Sequence, residues 1–420
     1  MSDQTIAPEI LLQVSLESPI GQLRALPVRL GESAPRAFLA AYCADFEDDP
    51  YGEMFFFPTD TLKLALITER GEIVWRRDLG RAVVPGVWFC PVFAFDLDGD
   101  GVDEIWFVNN LNRDHPLGIS GYRLERLDAQ NGMTTGQWQW RNDGGRQDLS
   151  HTFRNFIFGG CAKAEPVLVT AQGTYNDMFL QAWHPDLTLR WEHHIAKDAA
   201  GARGCHMCAI CDLDQDGVQE VLWGERCIEL GTGREIFCAD RETYRGHSDI
   251  AQPVWDRAHN RWYVYTCREG DPHASPRVAL FDDQGARVWG QVERGHMDLG
   301  WVAHPEENAP PLAMAIRIGA KTCGPDGRFH IDRDEFTFDA LSGAPRPLPF
   351  SVYGTLPVDL NGDGYHELVR GMSGQDGAIF DRVGNVVANI GAPVAMLSKF
   401  MDHAGEQLLA YYPDGTLRVW

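Results

Sequence analysis

The chain has 420 residues, of which 44% are hydrophobic, and it carries 60 Asp and Glu against 37 Lys and Arg, a formal charge of -23. So acidic a surface repels nucleic acid, and no apolar run approaches the length that spans a bilayer, so neither partner is expected. The length exceeds what one undivided core usually holds, yet no Pro/Ser-rich linker or charge block interrupts it. The expectation is therefore one repeat architecture over 1–420.

At the N-terminus, MSDQTIAPEILLQVSLESP has an acid near its start and no basic segment ahead of an apolar run, which does not read as a secretory signal. The chain's ten Cys form no dense framework and fit reduced thiols, so a cytoplasmic location is expected. From there an apolar strand, an Asp-Gly-type turn and a strand ending in an apolar or aromatic residue recur. The unit is clear in LALITERGEIVW at 64–75 and returns at 124–138, 181–191, 227–237, 278–289, 336–348, 378–387 and 409–420. Spacings of this order are those of propeller blades, and radial closure protects strand edges, so the predicted fold is all-β, an eight-bladed propeller. Because the last unit ends at the C-terminal residue, a strand between Ile10 and Leu30 is expected to complete the final blade.

Three acidic loops interrupt these units: DLDGDGVDE at 96–104, DLDQDGVQE at 212–220 and DLNGDGYHE at 359–367. Each puts oxygen side chains at its first, third, fifth and ninth positions. These are Asp96, Asp98, Asp100 and Glu104; Asp212, Asp214, Asp216 and Glu220; and Asp359, Asn361, Asp363 and Glu367. With a Gly for a tight turn and a carbonyl after it, each is a cage for a hard, oxygen-seeking cation, and Ca²⁺ is the natural occupant. Phe107, Trp223 and Arg370 stand where a helix-flanked calcium hand needs a chelating Glu, and each loop runs into an apolar strand instead. The alternative is an Asp/Gly-rich hairpin turn without an ion. Ahead of the second loop, Cys205, Cys208 and Cys211 have a CxxCxxC spacing. In an extended strand residues three apart face opposite ways, so the three sulfurs are not expected to converge, and buried structural thiols are the expectation.

The order of motifs resembles the catalytic propeller of the rhamnogalacturonan lyases, the family 11 polysaccharide lyases. The matching run is VLVTAQGTYNDMFLQAW (167–183), GCHMCAICDLDQDGVQEVLWG (204–224), GHSD (246–249), REG (268–270), ARVWG (286–290) and GHMDLGW (295–301), with GEIVWRRDLG (71–80) and the other acidic loops extending it. The resemblance implies an eight-bladed calcium-binding propeller that cleaves an acidic oligosaccharide by β-elimination. In that reaction a cation faces the uronide carboxylate while a His or Tyr takes the neighbouring proton. It also implies that His206 and His247 line the cleft and its calcium site, and that Tyr175 and Glu269 belong there.

Two departures bear on that implication. His296, within GHMD, stands where the family has Arg, and Ser351 where it has Lys. His296 is then a candidate base or charged partner, and Arg268, Arg317 or Lys321 are candidates to restore positive charge towards the substrate. The functional expectation is an intracellular lyase of rhamnogalacturonan-type oligosaccharides. The alternative is a non-catalytic calcium-binding propeller that binds a glycan or a protein.

Overall fold

A computed structural model describes residues 8–141, 149–307, 309–323 and 329–420, with side chains described outside 321–323 and 329–331. The described strands form eight sheets in chain order. Six are four-stranded antiparallel meanders. The fifth gains a fifth strand, Cys205–Met207, and the sixth has three strands. One sheet draws on both ends of the chain. Leu12–Ser15 pairs antiparallel with Thr416–Val419, from Leu12 opposite Val419 to Ser15 opposite Thr416, which is the pairing expected of a strand after Ile10. Among the described residues no helix is long and apolar enough to cross a membrane.

The inner strands are apolar on both faces, as in Ala37–Cys43, whose seven residues are all buried. Strands buried on two sides need sheets on both sides, and the apolar clusters supply them. Phe38 and Ala40 of the first sheet pack with Leu409 and Leu417 of the eighth. Leu39 and Leu66 pack with Ile105 and Phe107 of the second, and Trp106 with Leu168 of the third. Equivalent clusters join the third sheet to the fourth, and so on to the eighth. Burying each such large side chain contributes about 1.5–3 kcal/mol relative to leaving it in water.

The repeated turn unit has a mechanical role between sheets. Trp75, on the last strand of the first sheet, donates its indole N–H to Ala129 O in the turn of the second at 2.7 Å. Trp191 does the same to Leu230 O, and Trp289 to Ala340 O. Gly132, at φ 70°, lets this turn close beneath the Trp75 ring, since a Cβ there would fall 2.7 Å from it.

Candidate active site and acidic loops

The first strand of each sheet has two functionally different ends. At the entry end of five successive first strands lie Trp88, Arg154, His206, His247 with Asp249, and His296 with Asp298. The acidic loops follow the exit ends of Val92–Phe95, Ala209–Cys211 and Leu356–Val358. The entry ends make the candidate active site; the exit ends make three joints between sheets.

Glu269 is the centre of the entry-end cluster. Its Oε2 lies 3.0 Å from His247 Nε2 and 3.4 Å from His206 Nδ1, and its Oε1 lies 2.8 Å from His296 Nε2. His296 Nε2 is also 3.3 Å from Asp298 Oδ1, and His206 Nδ1 is 3.7 Å from Asp249 Oδ1. Tyr175, in the turn after Glu165–Gln172, brings its hydroxyl to 3.3 Å from His206 Nε2, and its ring lies edge-on to His247. His206 comes from the additional strand Cys205–Met207, which runs parallel to Ser248–Asp256. Gly246 and Gly270 allow the segments carrying His247 and Glu269 to touch, because a Cβ on Gly246 would sit 2.4 Å from the Gly270 carbonyl carbon.

Buried arginines hold this frame. The guanidinium of Arg277 donates to the carbonyls of Arg268 at 2.7 Å, Glu269 at 2.9 Å and Gly270 at 2.7 Å, fixing the turn that presents Glu269. Arg268 is itself fully buried, bound to Glu225 Oε1 at 2.9 Å and Asp240 Oδ2 at 2.8 Å. Alternation along the strand explains it: Arg268 faces inward where Glu269 faces the site, so the expected role of Arg268 in substrate binding is corrected to that of a structural ion pair. Arg317 is engaged by Asp334 at 2.8 Å, and the side chain of Lys321 lies outside the described residues. Ser351 donates its hydroxyl to Glu335 at 2.6 Å.

Charges at the site follow from burial and contact. Burial drives His206 well below the usual imidazole range, with Glu269 opposing. His296 behaves in the opposite way: burial would lower it, but the bonds to Asp298 and Glu269 push it up to about 9, which makes it a charged partner rather than a base in the metal-free protein. For Glu269 burial is outweighed by the three imidazoles, which hold its carboxyl well below the ordinary range. Burial raises the Tyr175 phenol, and Arg154 opposes it. Sequence reading missed Arg154. It is buried between the Trp88 and Tyr175 rings, its Cζ 4.7 and 4.9 Å from their centroids, with Asp49 at 3.2 Å. No motif marks it, because its neighbours Asp49, Trp88 and Tyr175 lie far from it along the chain. Asp249 and Asp298, by contrast, had a readable signal, since G-H-x-D occurs at both 246–249 and 295–298 and a strand turns such His and Asp to one side.

The thiol expectation needs correction in one respect. The Sγ atoms of Cys205 and Cys208 lie 3.6 Å apart, because the chain leaves one strand at Met207 and begins the next at Ala209. Two of the three sulfurs therefore meet, and all three residues are free cysteines.

At the exit ends, the three acidic loops share one scaffold. The first Asp accepts the N–H of the loop's later Gly at 2.9 Å in Asp96–Gly101, 3.0 Å in Asp212–Gly217 and 2.9 Å in Asp359–Gly364. The closing Glu104, Glu220 and Glu367 reach back to the N–H of Leu97, Leu213 and Leu360. Next to that Glu, the N–H of Asp103, Gln219 or His366 donates to a carbonyl of the preceding sheet's first strand or its end: Arg29, Cys161 and His304. Each loop thus pins one sheet to another. Ligand atoms of Asp96, Asp98 and Asp100, and of Asp212, Asp214 and Glu220, gather within 4.8 Å. Burial, aided by neighbouring carboxylates, pushes Glu104 up to about 7 and Glu220 up to about 8. Among the described residues no Lys or Arg forms an ion pair with Glu104 or with the second loop's Asp212, Asp214 and Glu220, and Arg29 alone reaches the first loop's triad, at Asp96, so the donor sets fit a divalent cation. The third loop differs. Arg382 Nη2 lies 2.9 and 2.7 Å from the two oxygens of Asp363 and 3.4 Å from Glu367.

No family model matches the chain. Rhamnogalacturonan exolyase YesX of Bacillus subtilis is 24% identical over 298 residues, which cover 61% of this chain and 46% of that protein. Rhamnogalacturonan endolyase YesW of the same organism is 24% identical over 229 residues, 44% of this chain and 37% of that protein. The chain thus spans less than half the length of the curated relatives it matches. Among solved structures, YesX superposes with a TM-score of 0.78 at 18% identity, covering 97% of this chain and 75% of that one. The Bacillus licheniformis rhamnogalacturonan lyase gives 0.75 at 17% identity, with the same coverages. The chain resembles the rhamnogalacturonan lyases in sequence and shares their fold.

Proposed function

We propose that this protein is a lyase that cleaves rhamnogalacturonan-type or related uronide oligosaccharides by β-elimination. The observation that carries the reading is the convergence of Tyr175, His206, His247 and Glu269, four positions matched to the lyase motifs, on one point at a common end of the sheets. The unbroken series of apolar contacts from sheet to sheet supports eight blades around one axis, with the N-terminal strand completing the last. Calcium in the first two acidic loops locks neighbouring blades together on this reading. A reducing cytoplasm suits the adjacent thiols of Cys205 and Cys208.

At the site, His247 Nε2 and Glu269 Oε2 are buried 3.0 Å apart, and neither has a hydrogen bond of good geometry. Two such atoms facing one point fit a metal ion, which His206, His247, Asp249 and Glu269 would hold. The ion would neutralise the uronide carboxylate and so stabilise the enolate-like charge that builds up beside it. Tyr175, whose hydroxyl meets His206 at the open side, is assigned the proton transfer. As the phenolate, Tyr175 would take the proton from the carbon next to the carboxylate; that C–H pair forms the C=C bond, the C–O bond breaks with its pair on the departing sugar oxygen, and the tyrosine hydroxyl returns the proton to that oxygen. Arg154 lies over the Tyr175 ring and favours negative charge on its oxygen. The chain's own residues do not supply the Arg and Lys of the family, and that loss favours the alternative, a non-catalytic glycan binder.

Mass spectrometry of oligosaccharide digests separates the readings. Elimination yields an unsaturated product one water lighter than the hydrolysis product, and Tyr175→Phe lowers its rate about 100-fold or more. Unchanged oligosaccharide that nonetheless binds the protein would select the binder.

A further inference from the structure

The Glu269 carboxylate faces two different sets of ligands with its two oxygens. Oε2 meets His206 and His247, with Asp249 behind them, and Oε1 meets His296, which also touches Asp298. The ligand atoms of His206, His247 and Glu269 lie within 4.8 Å of one another, and so do those of Glu269, His296 and Asp298. This is the arrangement of a carboxylate shared between two metal ions, which in two-metal sites lie about 3.5–4 Å apart. We propose that Glu269 bridges a pair of divalent ions, the first held by His206, His247 and Asp249, the second by His296 and Asp298. This rests on the reading, given above, that the first set holds an ion.

Three further observations point the same way. First, His247, with 9% of its side chain exposed, and Glu269, with 10%, bury the two unpartnered atoms that face the first ion's position. Second, among the described residues Asp249, Glu269 and Asp298 have no Lys or Arg partner; their ion pairs are with imidazoles alone. Three carboxylates around one point have only imidazoles against them, His296 the charged one, and the nearby arginines are engaged elsewhere, Arg268 by Glu225 and Arg317 by Asp334. Third, the two sets come from successive sheets through the same G-H-x-D pattern, so the second is built as the first is.

The ion type follows from the donors. Imidazole nitrogen favours iron, nickel, copper or zinc over calcium, whereas the exit-end loops offer oxygen only. The second position is the open one, since the His296 and Asp298 side chains are 42% and 27% exposed. An ion there would meet the acidic sugar first and would supply positive charge at the position where the resemblance implies an arginine.

Cobalt(II) binding to the full chain, stripped by chelator and then held in excess calcium to fill the oxygen-only loops, tests the pair. Two equivalents are expected per wild-type chain, and one for His296→Ala and for Asp298→Asn. Circular dichroism confirms that each variant is folded. Manganese(II) loading provides a readout that needs no variant: a spin-coupled pair gives a broadened electron paramagnetic resonance spectrum instead of the mononuclear six-line signal. A single equivalent in wild type, unchanged by either substitution and giving the six-line signal, would overturn the second ion and leave the first standing. Loss of that single equivalent in His247→Ala would confirm where the first ion lies. No cobalt bound at all would overturn both.

Discussion

The second and third acidic loops share the Asp–Gly and Glu–Leu bonds that close them and the same joint to the preceding sheet, yet their charges are balanced differently. In the second, Asp212, Asp214 and Glu220 face one another without a basic partner among the described residues, and burial pushes Glu220 up to about 8. In the third, Arg382 spans Asp363 and Glu367; although burial works the other way, the bond to Arg382 holds Asp363 below its ordinary range. The motif therefore builds the scaffold, and a residue about twenty positions along the chain supplies the third loop with a guanidinium where the second has no basic partner among the described residues. Arg29 makes the first loop intermediate, because it contacts Asp96 at 3.1 Å from outside the triad.

That contrast can be broken in order of expected effect. Asp212→Ala removes the acceptor of two loop N–H groups and a ligand, and should cost about 3 kcal/mol in calcium and one bound calcium per chain, read by chemical denaturation and elemental analysis. Arg382→Leu should cost about 1 kcal/mol in chelator, a modest figure because the pair is partly exposed. Calcium should restore most of the loss, converting the third loop into a metal-requiring one. Arg29→Ala should tighten calcium binding at the first loop a few-fold, seen by titration calorimetry, since a competing positive charge is gone.

The smallest effect sharpens the contrast from outside the loops. Among the described residues Asp48 is buried with one oxygen unpartnered and, unlike the loop acids, belongs to no cluster of metal-ligating groups. Burial pushes it up to about 7, against the Phe56 N–H bond that lowers it. A raised carboxyl binds its proton more tightly in the folded state than in the unfolded one. Stability from this group is therefore full below the ordinary carboxylate pKa and is lost as pH rises towards 7. Asp48→Asn should flatten that decline in melting temperature between pH 5 and pH 7.

How much was legible in the sequence depended on the range of each interaction. The three loops, the turn units and the N-terminal strand lie in local patterns, and the strands follow them except at 336–348, where the expected second strand is reduced to one bridge between Phe338 and Pro345 and the sheet has three strands. His206, His247 and Glu269 were reachable through motifs a few residues long. Arg382, Arg154 and Arg277 were not, because a lone arginine carries no pattern and its partners are fixed only when the strands fold together. Arg268 shows the reverse error. Its position beside Glu269 suggested the site, but strand alternation sends it to Glu225 instead. The meeting of Cys205 and Cys208 depends on a strand break that spacing alone does not reveal.

The central claim, that the entry-end cluster performs β-elimination with a bound ion, is tested most directly by following the ultraviolet absorbance of unsaturated uronide released from rhamnogalacturonan oligosaccharides. The protein should be compared before and after chelator treatment, with His247→Ala alongside. The account predicts a steady rise that chelator abolishes, that restored metal returns, and that His247→Ala lacks under all three conditions. A rise of equal rate in the chelated protein or in His247→Ala would contradict it.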